Sequence, residues 1–163
     1  MMKVYFLRHG EASFSARSDA ERELTDDGIS SAKNTAHFCV KSKISFSAVY
    51  ASPLRRAQHT AKIILEHYPS VKLHTASCLT PNAHPDDLFS ELSHHTSDSR
   101  ILLVTHEPFA STCIATLISG VPSCRIVMKT TSLACVEVDR TIAPGSGKLL
   151  WLLTPIMMKK LLS

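Results

Sequence analysis

The run Val4-Tyr5-Phe6-Leu7-Arg8-His9-Gly10-Glu11 decides how the rest of the chain is read. Four consecutive apolar residues, two aromatic and one β-branched, read as a short strand buried on both faces. The run then stops on an arginine, a histidine and a glycine. In an open parallel sheet, ligands bind outside the carboxyl ends of the strands, so Arg8 and His9 fall where chemistry is expected. A guanidinium fork matches phosphate oxygens, and neutral imidazole is a nucleophile available near pH 7. Gly10 lets the backbone turn sharply or approach a ligand closely. Taken alone, the stretch fits a surface turn with a basic pair equally well. Its partners elsewhere in the chain decide.

Ala12 to Glu23 is polar and reads as a loop over the end of that strand, with Arg22 either a second-layer cation or a solvated surface residue. Leu24-Thr25-Asp26-Asp27-Gly28 starts a helix, Thr25 capping it and the aspartates suiting the positive end of its dipole. Ile29, Ala32, Ala36 and Cys39 or Val40 form its apolar face. Ala48 to Ala51 is a second buried strand. Ser52 is the expected cap of the next helix and Pro53 its first residue, with Leu54, Ala57, Ala61 and Ile64 inward to about Tyr68. Arg56 then lies in the first turn of that helix, a natural anion site. Val71 to His74 is a weak strand, and Pro85 begins a short helix with Leu88 and Leu92 inward. His94 and His95 at its end read as exposed polar residues.

Ile101 to His106 repeats the opening pattern: four strand residues, one polar residue, Thr105, then a histidine. Pro108 to Ser119 is a helix with Cys113, Ile114 and Leu117 on one side, closed by Gly120. Ser132 to Asp139 alternates as a strand, and Leu149 to Leu153 pairs antiparallel with it at a sheet edge after the turn at Pro144-Gly145-Ser146-Gly147. The tail from Met157 is a short amphipathic helical turn or frayed. This alternation predicts an α/β fold, a three-layer doubly wound and mostly parallel sheet with an antiparallel edge strand, in a single domain over residues 1–163.

Composition bounds the function. The 163 residues are 44% hydrophobic and 20% charged, ordinary for a soluble globular domain. A formal charge of +4 suits an anionic ligand but is too small and scattered for a nucleic-acid binder. The five cysteines are widely spaced, with no Cys-x-x-Cys pair, so neither a disulfide framework nor a zinc ribbon is indicated. Nor has any cysteine an arginine six positions on, as a cysteine phosphatase would need. A metal site on His84, Asp86, His94 and His95 has no motif spacing behind it. No apolar run reaches the ~18 to 20 residues that span a bilayer, and the four-residue run after Lys3 is too short for a secretory signal. A cytoplasmic, monomeric protein with no membrane association is expected.

Three strand ends thus carry Arg8 with His9, Arg56, and His106, and parallel strands bring all of them to one edge of the sheet. Here the sequence resembles the histidine phosphatase (phosphoglycerate-mutase-like) superfamily. Leu7-Arg8-His9-Gly10-Glu11 is similar to its RHG signature, Leu24-Thr25-x-x-Gly28 to its LTxxG segment, Ser52-Pro53-Leu54-Arg55-Arg56-Ala57-Gln58-His59-Thr60-Ala61 to SPLxRAxQTA, and Thr105-His106-x-Pro108 to its late histidine. The order and strand context agree over roughly residues 3–118. Within the superfamily, Ser18-Asp19-x-x-Arg22-x-Leu24-Thr25 resembles the SixA-type phosphohistidine phosphatases.

The resemblance implies a phosphoglycerate-mutase-like fold and a metal-independent phosphatase needing no cofactor. His9 would attack phosphorus, Arg8 and Arg56 would clamp the non-bridging oxygens, and His106 would stabilise charge on the transferring group. Arg22, Gly10 and Thr105 would contribute to substrate binding. The implied partner is a phosphorylated protein domain of the histidine-phosphotransfer type.

Two features bear on the substrate. Family members acting on phosphate esters usually carry an acid after the third strand, to protonate a poor leaving group. Leu79 to Pro85 contains none, and Asp86 and Asp87 come only at the helix start. Glu107 is either a substitute acid or, preferably, a side chain pointing into solvent. The segment between Ala61 and Ile101 also leaves little room for a lid, which suits a protein surface better than an enclosed metabolite. Phosphohistidine is therefore favoured over the alternatives, a small-molecule phosphomonoesterase on the same fold or a non-catalytic phosphate-binding module.

Overall fold

The first strand, β1 (Met2–Arg8), lies inside the sheet of a computed structural model that describes residues 1–123, 125–139 and 141–163. Its side chains alternate between two cores. Val4 and Phe6 pack into one, Tyr5 and Leu7 into the other, which is why four apolar residues stand in a row. Five further strands complete one sheet: β2 (Ala48–Ala51), β3 (Leu73–Thr75), β4 (Arg100–Thr105), β5 (Leu133–Val138) and β6 (Gly147–Leu153), in the order β3-β2-β4-β1-β5-β6.

The first four in that order run parallel. The strand β5 runs antiparallel to β1 and β6 antiparallel to β5, so the sheet is mixed and the antiparallel pairing reaches one strand further inward than its edge. The helices α1 (Asp26–Lys41), α2 (Arg55–Leu65) and α5 (Pro155–Leu162) cover one face, and α3 (Pro85–Leu92) and α4 (Phe109–Ser119) the other. The result is the expected three-layer α/β architecture.

Local chemistry sets most boundaries as read. The Thr25 hydroxyl accepts the Gly28 amide at 3.0 Å and starts α1. Gly120 closes α4 at φ 80°, a left-handed conformation in which glycine has no Cβ penalty. Cys39, not Val40, completes the buried stripe of α1, and Val40 is left 47% exposed.

Other boundaries move, for identifiable reasons. Ser52 does not cap α2, because its amide still donates to Val104 of the neighbouring strand at 3.0 Å, and the helix begins only after Leu54. The third strand starts two residues late, since the Val71 amide is held in a turn by the Tyr68 carbonyl. His95 is half-buried rather than exposed, with its Nε2 2.9 Å from the Tyr50 hydroxyl. Within the polar loop, Asp19–Glu21 coil into a short 3-10 turn. The tail is a full helix, α5, with Met158 buried and its last carbonyls bonded to Lys41 Nζ at 3.0 and 3.2 Å. Cys39, Cys113 and Cys135 are buried free thiols, as apolar surroundings suggested, and Cys124 lies outside the described residues.

The exit of β1 crosses the start of α1 at very close range. A Cβ on Gly10 would stand 2.8 Å from the Gly28 carbonyl oxygen, and one on Gly28 would overlap the Glu11 carbonyl. Both glycines are therefore needed for backbone approach. Gly28→Ala forces backbone apart in a packed region and is expected to cost about 2 to 3 kcal/mol, read as a lowered urea midpoint. An unchanged midpoint would show that the crossing yields freely.

Candidate active site

Parallel pairing of β1 with β4 sets Arg8 opposite Thr105, so the residues that follow, His9 and His106, leave the sheet side by side. Their ring centroids are 4.9 Å apart at 56°. The His9 amide donates to the Thr105 carbonyl at 3.0 Å, and the Thr131 amide reaches the carbonyls of Arg8 and His9 at 3.0 and 3.2 Å. Thr131 sits at φ 57°, rare for a β-branched residue, and this local strain is part of what fixes the end of β1.

The His9 ring is held in one tautomer. Its Nδ1 lies 2.7 Å from the Gly10 carbonyl, which can only accept, so Nδ1 carries the hydrogen and Nε2 keeps its lone pair. Arg56 agrees from the other side, its Nε donating to His9 Nε2 at 3.2 Å. Arg56 arrives there because β2 is the neighbour of β4 and only three residues separate the end of β2 from the start of α2. A lone pair presented to a guanidinium is a nucleophile aimed at the place where an anion belongs.

Burial and positive neighbours keep both histidines uncharged. Burial is the main cause that holds His9 down, to about 4; the Gly10 hydrogen bond opposes it, and Arg56 and Arg8 add to it. His106 is held at about 3, by burial first and then by His9 and Arg56. Unfolded histidines take up protons below about pH 6.5, whereas these two do so in the folded state only near 4 and 3. The unfolded chain therefore binds more protons in that window, and stability is expected to fall as pH is lowered from about 6.5 toward 4. Imidazole nitrogen shifts followed by NMR check the cause directly; a His9 midpoint near 6.5 would contradict it.

The cations around the pair differ in how they are tied. Arg8 donates one hydrogen bond to the Met128 carbonyl at 2.8 Å, while its Nε is buried without a protein partner among the described residues. Both ring nitrogens of His106 are likewise unpartnered. Buried polar atoms are nearly always bonded, so these three are free to meet a polar ligand or water. Arg22 is neither free nor solvated. It donates to the Ser13 and Ala12 carbonyls at 2.9 and 3.0 Å, lies 4.1 Å over the Phe14 ring, and thereby staples its own loop.

Asp19 joins the two arginines, and the sequence reading gave it no role. Its carboxylate meets Arg56 at 3.1 Å and Arg22 at 3.2 Å, and its carbonyl accepts from Arg56 at 2.7 Å. Burial raises its pKa, but hydrogen bonds from Arg22 and Arg56 outweigh that and hold the carboxyl below its usual range. The available signal was its place in the Ser18-Asp19-x-x-Arg22-x-Leu24-Thr25 segment, which carries a resemblance but names no partner for the carboxylate.

Gly10 and Thr105 are committed to the scaffold rather than turned toward a ligand. The Gly10 amide donates to Thr60 Oγ1 at 3.0 Å, and the Thr105 hydroxyl donates to the Leu79 carbonyl at 2.7 Å. Glu107 does not point freely into solvent: its two oxygens accept from the Ser111 amide and hydroxyl at 3.1 and 2.6 Å, capping α4. Asp86 is exposed beside His84 at 3.5 Å, and Asp87 lines a separate hollow with Tyr50, His74 and Cys78. Among the described residues, no three His, Cys, Asp or Glu side chains gather closely enough to hold a metal ion. No helix among them is long and apolar enough to cross a membrane.

A histidine lone pair among arginines, at the carboxyl edge of an α/β sheet, is an arrangement that can receive a phosphoryl group, and known proteins with similar sequence and fold bear on it. The profile of the histidine phosphatase superfamily (branch 1) matches residues 4–80, just under half of the chain. Over nearly its full length it is similar to phosphohistidine phosphatase SixA of Escherichia coli (strain K12), with 26% identity over 162 residues, 97% of each chain. A solved structure of the protein histidine phosphatase SixA complexed with tungstate matches with a TM-score of 0.86 at 26% identity, covering 95% of this chain and 98% of that one. The alpha-ribazole phosphatase from Shigella flexneri shares the fold, with a TM-score of 0.68 at 20% identity over 94% and 97% of the two chains. The fold is phosphoglycerate-mutase-like.

Proposed function

We propose that the chain is a phosphatase working through a phosphohistidine enzyme intermediate, and that its substrate is phosphohistidine on a protein of the phosphorelay type. The observation that carries this reading is the His9 ring, with Nδ1 tied to the Gly10 carbonyl and Nε2 aimed at Arg56 beside His106. In the first step His9 Nε2 attacks phosphorus while the bond to the departing imidazole breaks with its electron pair, and that nitrogen takes up a proton from solvent water. Water then displaces His9 from phosphorus and releases inorganic phosphate. Arg56 turns its Nε from His9 to a phosphoryl oxygen, Arg8 offers its unpaired Nε, and neutral His106 has one N–H to give. The cations are side chains, so the chemistry asks for no metal.

Two features favour a P–N over a P–O bond. The carboxylate bonded to the site arginines, Asp19, is held ionised and so is a poor proton donor, and Glu107 is occupied as a helix cap. An alkoxide leaving group needs such a donor; an imidazole protonates readily. The residues between Ala61 and Ile101 are used by the end of α2, by β3 and by α3, whose Leu88, Phe89 and Leu92 pack into the core rather than forming a cover. An uncovered site suits a protein surface.

Side-by-side turnover of a phosphohistidine-bearing phosphotransfer domain and a panel of sugar and aryl phosphates tests the choice. Preferential release of phosphate from the protein is expected. Efficient ester hydrolysis with no release from phosphohistidine would move the assignment to a small-molecule phosphomonoesterase.

A further inference from the structure

At the end of the sheet opposite His9, a cavity of about 490 Å³ opens beneath the last turn of α1. Its floor is aromatic. Tyr5 and Trp151 face it from β1 and β6 with ring centroids 6.0 Å apart, and Phe38 of α1 stands edge-on to Trp151 at 6.4 Å. Its rim is cationic. Lys3, the second residue of β1, and Arg100, the first of β4, are register partners, and Lys43 enters from the turn after α1.

These three cations lack the partners that surface cations usually find. None forms an ion pair within 4 Å among the described residues, and Arg100 makes a single side-chain bond, to Ser45 Oγ at 2.6 Å. The nearby acid is Glu137, the β5 register partner of Lys3, which leaves the rim net positive. The carbonyl ends of the two flanking helices do not compete for the cations. Those of α1 are bonded by the amides of Ser42, Lys43 and Ile44, and those of α5 by Lys41.

Lys43 is held in place at some conformational cost. Its φ of 54° is left-handed, and the turn is closed by its own amide on Val40 and the Ile44 amide on Cys39 at 3.0 and 2.9 Å.

We propose that this cavity is a second binding site, for a small planar aromatic molecule carrying an anionic group. Rings would lie against Tyr5 and Trp151, and the anionic group would meet Lys3, Lys43 and Arg100. The site is distinct from the catalytic edge: Lys3 and Arg8 lie five residues apart on one strand, ~16 Å. It does not depend on the phosphatase reading.

Trp151 is the sole tryptophan of the chain and sits in the cavity wall, so its fluorescence reports occupancy. Adenosine 5′-monophosphate and naphthalene-2-sulfonate are titrated into the Arg56→Ala variant, whose catalytic edge is weakened as an anion site. A saturable change with both is expected, whereas adenosine and inorganic phosphate, each carrying half the recognition, need at least about tenfold more. Lys43→Asn combined with Arg100→Gln is expected to weaken binding about tenfold or more with an unchanged melting temperature. Asparagine tolerates the left-handed turn and glutamine keeps a donor for Ser45; if the pair nevertheless unfolds, Lys43→Asn alone serves, with a smaller weakening expected. The proposal falls if neither aryl anion gives a saturable response, if adenosine binds as well as its monophosphate, or if folded variants lacking these charges bind as tightly as the parent.

Discussion

Replacement of His9 by alanine is expected to leave no measurable turnover, a loss on the order of 10⁵-fold or more, because in the proposed mechanism it removes the atom that forms the covalent bond. The structure makes the loss specific. Nε2 is the lone pair that Arg56 faces, and the Nδ1 bond to Gly10 fixes which nitrogen is free. His106 cannot take over, because it follows a different strand and its ring stands 4.9 Å away at a steep angle. The measurement that isolates the chemistry is phosphate retained on the protein after brief exposure to substrate. Parent protein should carry a label that is stable to base and lost in acid, the behaviour of phosphohistidine, and His9→Ala should carry none. Equal labelling of both proteins would place the nucleophile elsewhere.

Arg56→Ala is expected to cost about 2 to 4 kcal/mol of transition-state stabilisation, roughly 30- to 1000-fold in kcat/KM. Arg56 is almost fully buried and donates to His9 and twice to Asp19. Its removal withdraws the cation nearest the nucleophile and leaves the Asp19 carboxylate without its buried partner. Arg56→Lys should recover little, since an ammonium lacks the planar fork that spans His9 and Asp19 together. Melting temperatures separate a catalytic loss from an unfolded site. Activity within tenfold of the parent in a folded Arg56→Ala protein would mean that the phosphate is bound by other groups.

The sheet was legible in the sequence because buried strands of both kinds leave short apolar runs. Ala48 to Ala51 is β2 residue for residue, and the alternation around Ser132 to Asp139 is β5. Boundaries that depended on a partner were less legible. Ser52 has the composition of a helix cap, but its amide belongs to the Val104 carbonyl, and nothing in Ser52-Pro53 records that neighbour. His95 and Glu107 were misjudged for the same reason: Tyr50 and Ser111, which hold them, are ordinary residues whose proximity only folding creates or orients.

By itself the sequence determined which candidate residues meet. Arg8, His9, Arg56 and His106 each end or follow one of the parallel strands β1, β2 and β4 of the mixed sheet, and parallel neighbours can bring them only to one edge. Tertiary structure decided what state they are in. Burial drives His9 neutral, the Gly10 carbonyl selects its tautomer, and Asp19 reaches across from a loop to tie Arg56 to Arg22. Strand order is written in patterns along the chain, whereas desolvation and the pairing of charges arise only when distant segments exclude water between them.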